Sequence, residues 1–202
     1  MTLPAFPPAT IQLDAMTVSR GAKTLVHDFS LNAGPGAAIF LTGKNGAGKT
    51  TLLRVIAGLY GADAGLVSVT PEPSQSIAWL GHADGLKPGE TPREALRFHI
   101  ALTGSDTALE RLALDAMAMR ALADRPVQRL SRGQKRRTAL AHVIASNRPI
   151  WLLDEPAGPL DINGRACLAR AVADHRARGG LVIAATHQIL DWPNAQTLEM
   201  GS

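Results

Sequence analysis

Gly43-Lys44-Asn45-Gly46-Ala47-Gly48-Lys49-Thr50 matches the phosphate-loop pattern G-x-x-x-x-G-K-[ST] at every defined position. Its flanks have the character that the pattern requires. Ala38-Ile39-Phe40-Leu41-Thr42 predicts a short buried strand, and Thr51-Leu52-Leu53-Arg54-Val55-Ile56-Ala57 predicts the first turns of a helix stopped by Gly58. In such a strand, loop and helix the glycines let successive main-chain N–H groups point inward, and the helix adds the positive end of its dipole. A polyphosphate is then held chiefly by backbone. The candidate nucleotide-binding residues are Gly43, Lys44, Asn45, Gly46, Ala47, Gly48, Lys49, Thr50 and Thr51, with Lys49 reaching the β and γ phosphates and the Thr50 hydroxyl ligating Mg²⁺.

The chain of 202 residues suits one α/β domain with its own core and room for a small inserted subdomain. No apolar run approaches the roughly 20 residues that span a bilayer. The stretch Met1-Thr2-Leu3-Pro4-Ala5-Phe6-Pro7-Pro8 lacks the basic start and apolar centre of a secretory leader, so nothing here predicts passage across a membrane. A single cysteine, Cys167, excludes an internal disulfide and a cysteine zinc site, and fits a reducing compartment. The net charge of +4 is unevenly spread. From Arg120 to Arg148 there are eight basic residues (Arg120, Arg125, Arg129, Arg132, Lys135, Arg136, Arg137 and Arg148) against Asp124 alone, so this segment carries +7 and the remainder −3. A local basic segment points to an anionic partner such as nucleotide phosphates, lipid headgroups, an acidic protein surface or nucleic acid, unless it is simply a solvated helix face.

Residues 10–19 and 24–33 alternate apolar and polar side chains as half-buried antiparallel strands do, with Arg20-Gly21-Ala22-Lys23 as the turn. A further strand is predicted at Leu66 to Val69, broken by Pro71-Glu72-Pro73, and Ile77-Ala78-Trp79-Leu80 starts another. Helices follow. Thr91-Pro92-Arg93-Glu94 is a capping box with Pro at the first helical position, opening a segment that ends at Gly104. A second helix is predicted over about 106–119 with Leu109, Leu112, Ala113 and Ala116 on one face, and a third from Ser131 to about Asn147. Ile150 to Leu153 and Leu181 to Thr186 are continuous apolar strands either side of a helix from Asp161 to Arg178, the pattern of a parallel sheet covered on both faces. Ligands of such sheets sit at the carboxyl ends of the strands, where Gly43, Asp154 and His187 all fall.

Asp154 and Glu155 end an apolar strand downstream of a phosphate loop. One carboxylate there serves Mg²⁺ through water, and the next, Glu155, is the candidate base for the attacking water. Leu130-Ser131-Arg132-Gly133-Gln134 is a helix start suited to an anion, since the Ser131 hydroxyl, the free N–H groups and the dipole point the same way.

That segment resembles the LSGGQ signature of the ABC ATPases. With the phosphate loop, the Asp-Glu strand, Leu160-Asp161 in the place of the D-loop and His187 in that of the switch histidine, the resemblance covers nearly the whole chain. It implies an α/β fold of the P-loop NTPase, ABC nucleotide-binding type: a mixed parallel sheet core, an antiparallel β subdomain and a helical subdomain inserted at about 83–147, within one domain of residues 1–202. It implies ATP and Mg²⁺ as cofactors, with Thr50, Asp154 and His82 at the metal and Glu155, His187 and His82 as catalytic groups. It also implies a head-to-tail homodimer on ATP binding, in which Ser131, Gly133, Gln134 and Asp161 of one subunit close on the nucleotide held by Lys49 of the other.

Leu80-Gly81-His82-Ala83-Asp84-Gly85-Leu86-Lys87, Leu130 to Arg137, Trp151 to Pro156 and Ala185-Thr186-His187-Gln188 are similar to the cytochrome c biogenesis branch of that family, the haem-exporter ATPases. This narrower resemblance implies a peripheral protein on the cytoplasmic face of the bacterial inner membrane, beneath small integral membrane subunits. There ATP hydrolysis drives release of a haem-loaded periplasmic chaperone. No Cys-x-x-Cys-His is present, so haem rests on the resemblance alone. The sequence departs from the wider family at three places: His82 stands at the usual Q-loop glutamine, Arg20 at the adenine-stacking aromatic, and Arg132 at a small signature residue. An export ATPase for lipid, drug or peptide, and a soluble ABC protein acting on nucleic acid, stay open as alternatives. The second is disfavoured because paired nucleotide domains and long coiled coils are absent, and no nucleic acid is expected.

Overall fold

The computed structural model describes residues 3–188 and 190–201; Met1 and Thr2, part of the stretch read above for a leader, lie outside them. Two sheets organise these residues. The first is antiparallel, with β1 (Thr10–Arg20) between β2 (Lys23–Ala33) and β4 (Ala64–Thr70). Alternation along β1 buries Ile11, Leu13, Met16 and Val18, and a bulge marked by Ala15 at φ 47° lets Met16 return to the core face.

The second sheet is parallel throughout, in the order β5 (Ile77–Leu80), β6 (Ile150–Asp154), β7 (Leu181–Ala185), β3 (Ala38–Thr42), β8 (Gln196–Glu199). Every residue of β6 and β7 is buried, as continuous apolar runs predict. Successive side chains go to opposite faces. Phe40, Trp151, Leu153, Val182 and Ala184 pack under the helical layer, while Ile39, Leu41, Ile150, Leu152, Leu181 and Ile183 pack against α1 (Lys49–Ile56) and the antiparallel sheet. Each fully buried Leu or Ile contributes about 2 kcal/mol by burial alone.

The helical layer contains α3 (Pro92–Thr103), α4 (Ala108–Ala116), α5 (Arg132–Ala145) and α6 (Ile162–Ala177), while a four-residue turn, α2 (Pro73–Ser76), precedes β5. The capping box at Thr91 and Glu94 forms as predicted, and Gly104 closes α3 at φ 67°. α4 is shorter than expected. It stops at Ala116, followed by Ala118 at φ 53°, and its buried face is Leu109, Ala113 and Leu114 with Met117 beyond; Leu112 and Ala116 are only half-buried. The last strand, β8, has no counterpart in the sequence reading. No described helix is long and apolar enough to cross a membrane.

Register brings the site together. Leu41 pairs with Ala185, Ala185 with Asp154, and Leu80 with Leu153, so four strands end at one level. Gly43, His82, Glu155 and His187 all leave the sheet at that edge.

Candidate nucleotide site

The loop from Gly43 to Gly48 joins β3 to α1 and takes the left-handed backbone that its glycines permit, with φ 127°, 84° and 93° at Gly43, Gly46 and Gly48. At Gly43 the requirement is double, since a Cβ there would lie 2.4 Å from the Met200 carbonyl oxygen beside β8. Lys49 is 8 % exposed and its Nζ donates to the carbonyls of Gly43 (2.6 Å) and Lys44 (3.1 Å), so the loop wraps its own cation. α1 starts at Lys49, two residues earlier than the sequence reading placed it.

A cleft of about 490 Å³ is lined by Asn45, Gly46, Gly48, Lys49, Thr50, Thr51, His82, Asp154, Glu155 and His187, with Arg20, Lys23, Leu25 and Arg54 at the antiparallel-sheet side. Arg20, expected at the base, therefore faces the same space as the loop. Gly43, Lys44 and Ala47 do not line it; they shape the loop from behind. Lys23, Leu25 and Arg54 are additions that the sequence reading missed; pairing of β1 with β2 brings Lys23 and Leu25 to the cleft beside Arg20, and Arg54 comes from α1.

Thr50 Oγ1 donates toward both Asp154 oxygens, at 3.1 and 3.0 Å. Asp154 is 4 % exposed, and among the described residues this hydroxyl is the only side chain bonded to its carboxylate. A buried carboxylate with one neutral partner lacks compensating positive charge. Hydroxyl and carboxylate oxygens beside a phosphate cleft are the hard donors that Mg²⁺ takes, so these residues fit that ion. His82 lines the cleft but makes no hydrogen bond to either residue. Among the described residues no group of three or more His, Cys, Asp and Glu side chains is placed to hold a metal by itself.

Glu155 sits at φ 47°, a left-handed backbone that costs a non-glycine residue of order 1 kcal/mol. Its N–H donates to Ala185 O (2.8 Å) on β7, and its Oε1 lies 3.2 Å from His187 Nε2. His187 is held in turn by a tight turn in which the Thr186 hydroxyl accepts from Gln188 N (3.0 Å). The candidate base and the candidate switch histidine are thus adjacent, both partly exposed to the cleft.

Ser131, Gly133, Gln134 and Asp161 lie away from this cleft in the same chain. Ser131 caps α5, accepting from Gln134 N (3.2 Å), while Gln134 Oε1 accepts from Ser131 N (2.9 Å). Asp161 caps α6 through Gly164 N (2.7 Å) and takes both its oxygens to Arg137 Nη2 at 2.8 Å. Gly133 is needed for close approach, because a Cβ would meet Pro159 O at 2.9 Å. Arg132 is exposed and shares a hollow of about 350 Å³ with His82, Asp84 and Glu155.

The basic segment is broken up by the fold. Arg136 is 2 % exposed and pairs with Asp84 (2.9 Å), Arg137 pairs with Asp161, and Arg120 pairs with Asp115 (3.3 Å). Arg148 bonds the Gln75 carbonyl. Only Arg125, Arg129 and Arg132 of the eight remain exposed without an acidic partner among the described residues.

The ABC transporter family profile matches residues 26–158. The chain is 55 % identical to the cytochrome c biogenesis ATP-binding export protein CcmA of Maricaulis maris, over 99 % of this chain and 96 % of that protein. It is 44 % identical to the protein of the same name from Paracoccus denitrificans, over 92 % and 86 %. Its fold superposes on a putative ABC transporter ATP-binding protein from Pyrococcus furiosus with a TM-score of 0.83 at 20 % identity, covering 95 % of this chain and 97 % of that one. A bacterial Atm1-family ABC exporter with ATP bound gives the same TM-score at 18 % identity, over 98 % of this chain and 38 % of that one. The α/β architecture, the phosphate loop with its buried lysine, and these likenesses together place the chain in the ABC transporter family, as one of its ATP-hydrolysing, ATP-binding chains.

Proposed function

We propose that the chain binds ATP with Mg²⁺ and hydrolyses it to drive an export step of cytochrome c biogenesis, as haem export or as release of a haem-loaded chaperone. The observation that carries the chemistry is the convergence on one cleft of Lys49, the Thr50–Asp154 pair and the Glu155–His187 pair. Lys49, freed from the Gly43 and Lys44 carbonyls, neutralises the terminal phosphates. Thr50 and Asp154 are the residues that would hold Mg²⁺, which would offset part of the phosphate charge. Glu155 accepts the proton of the attacking water, and His187, bonded to it, orients it and contacts the γ-phosphate. His82 contributes one hydrogen bond at the same place, in the position where a glutamine is usual.

Two copies arranged head to tail complete the site in this reading. Ser131 and Gly133 of one copy, exposed or half-exposed at the tip of α5, face the nucleotide held by the other, with Asp161 alongside. Residues 83–147 form the helical subdomain that carries this tip. The working location is the cytoplasmic face of the inner membrane, peripheral, against small integral membrane subunits. What supports the export role is the shared name of the relatives at 55 % and 44 % identity. The test is affinity purification of tagged chain from detergent-solubilised membranes. Co-purifying small membrane subunits, together with loss of haem-bearing c-type cytochromes on deletion and restoration by the wild-type chain but not Lys49→Ala, support the proposal. Normal c-type cytochromes in the deletion strain contradict it, and point to another cargo.

A further inference from the structure

Arg136 is a feature that neither the phosphate loop nor the α5 tip explains. It follows the signature by two residues, yet its guanidinium is 2 % exposed and points into the layer between α5 and the sheet edge. A guanidinium carries five N–H donors in a fixed plane, and here all five have acceptors. Nε donates to Pro156 O (3.3 Å), Nη1 to Gly81 O (2.9 Å) and Asp84 Oδ1 (2.9 Å), and Nη2 to Asp154 O (2.5 Å) and Glu155 O (2.9 Å). Two acceptors bracket His82, and three span the main chain from Asp154 through Glu155 to Pro156.

We propose that Arg136 is a positioning residue that locks the loop carrying His82 to the strained backbone of Glu155, so that these two groups keep one mutual geometry and shift together. The proposal rests on the reading of Glu155 as base. Among the described residues the main chain of Glu155, at φ 47°, makes two hydrogen bonds, one to Ala185 and one to Arg136, and the guanidinium of the second also reaches Gly81 and Asp84. A displacement of residues 81–84 therefore moves the guanidinium, and the guanidinium moves the Glu155 carbonyl. Lysine carries the same charge on one nitrogen with only three donors, so it cannot serve all five of these acceptors or hold them in the fixed plane of a guanidinium.

The test is steady-state ATP turnover and equilibrium binding of a fluorescent ATP analogue by the full chain, with Arg136→Lys and Asp84→Asn. Arg136→Lys is expected to keep nucleotide affinity within about threefold and to lower kcat at least about 30-fold, the scale of a misplaced reacting group. Asp84→Asn, which keeps an acceptor oxygen but removes the negative charge facing the guanidinium, keeps affinity and lowers kcat severalfold. Combined with His82→Ala, Arg136→Lys is expected to give less than the product of the two separate losses, because both act through one linkage. Wild-type kcat in both single variants overturns the proposal, as does loss of affinity and kcat together in proportion to the unfolded fraction, or strict multiplicativity with His82→Ala. Full turnover in Glu155→Gln defeats the base assignment instead, whatever Arg136→Lys does.

Discussion

The Thr50 hydroxyl lies within hydrogen-bond distance of both carboxylate oxygens of Asp154, a residue 104 positions further along the chain. One end of this pair comes from the phosphate loop and the other from the end of β6, so their contact measures whether the two nucleotide motifs are assembled. Thr50→Ala leaves a buried carboxylate without its partner. It is expected to reduce stability by about 1–3 kcal/mol without nucleotide. It should also weaken ATP binding in Mg²⁺ at least tenfold while changing binding in EDTA much less; calorimetry with and without Mg²⁺ checks both.

Glu155→Gln keeps the shape and the main-chain bonds to Ala185 and Arg136 while removing the proton acceptor. Turnover is expected to drop at least about 100-fold with ATP affinity nearly unchanged, measured by phosphate release and by nucleotide binding on the same sample. His187→Ala should fall between this variant and the wild type, because its ring orients Glu155 from 3.2 Å.

Gly43→Ala places a methyl group 2.4 Å from Met200 O at a backbone φ of 127°. Strain and clash act together, and the thermal midpoint should fall by several degrees, with β8 released from β3. Gly46→Ala has open space around its Cβ and only the strain of φ 84°, so its midpoint should fall less.

His175 and His142 are each held down to about 4, mainly by burial; Arg178 adds to the effect on His175 and His99 to that on His142, while the Leu181 carbonyl opposes it for His175. His175 is 2 % exposed, between Trp151 (centroids 4.0 Å) and Phe6 (5.1 Å). Since the unfolded chain binds these protons from about 6.5 downward and the folded chain only near 4, stability is complete above pH 6.5 and declines as pH falls toward 4. His175 alone accounts for about 3 kcal/mol of that loss. Urea midpoints between pH 7 and 4.5 should fall steeply, and His175→Phe, which keeps the aromatic stack, should flatten the slope.

Local signals carried much of this into the sequence. β3 is read to the residue because its short apolar run between turn signals leaves no other register, β5 is read at its start, and α3 is legible because Thr91, Pro92, Glu94 and Gly104 mark both its ends. β8 was illegible: Gln196–Glu199 is largely exposed, and only pairing with β3 makes it a strand. Arg136 hid for a related reason. In the sequence it is one more charge in a basic run, and its burial follows from the loops that β5 and β6 deliver to it. The phosphate loop is contiguous and could be read directly, whereas the Glu155–His187 contact depends on β6 and β7 ending at the same level.

Closure of the α5 tip of one copy on nucleotide held by another is tested most directly by light scattering on Glu155→Gln. With ATP and Mg²⁺ the mass should double from that of a 21.3 kDa chain, and Ser131→Arg in the same background should abolish the change. A mass that stays monomeric under saturating ATP, or a dimer indifferent to Ser131→Arg, would rule that closure out.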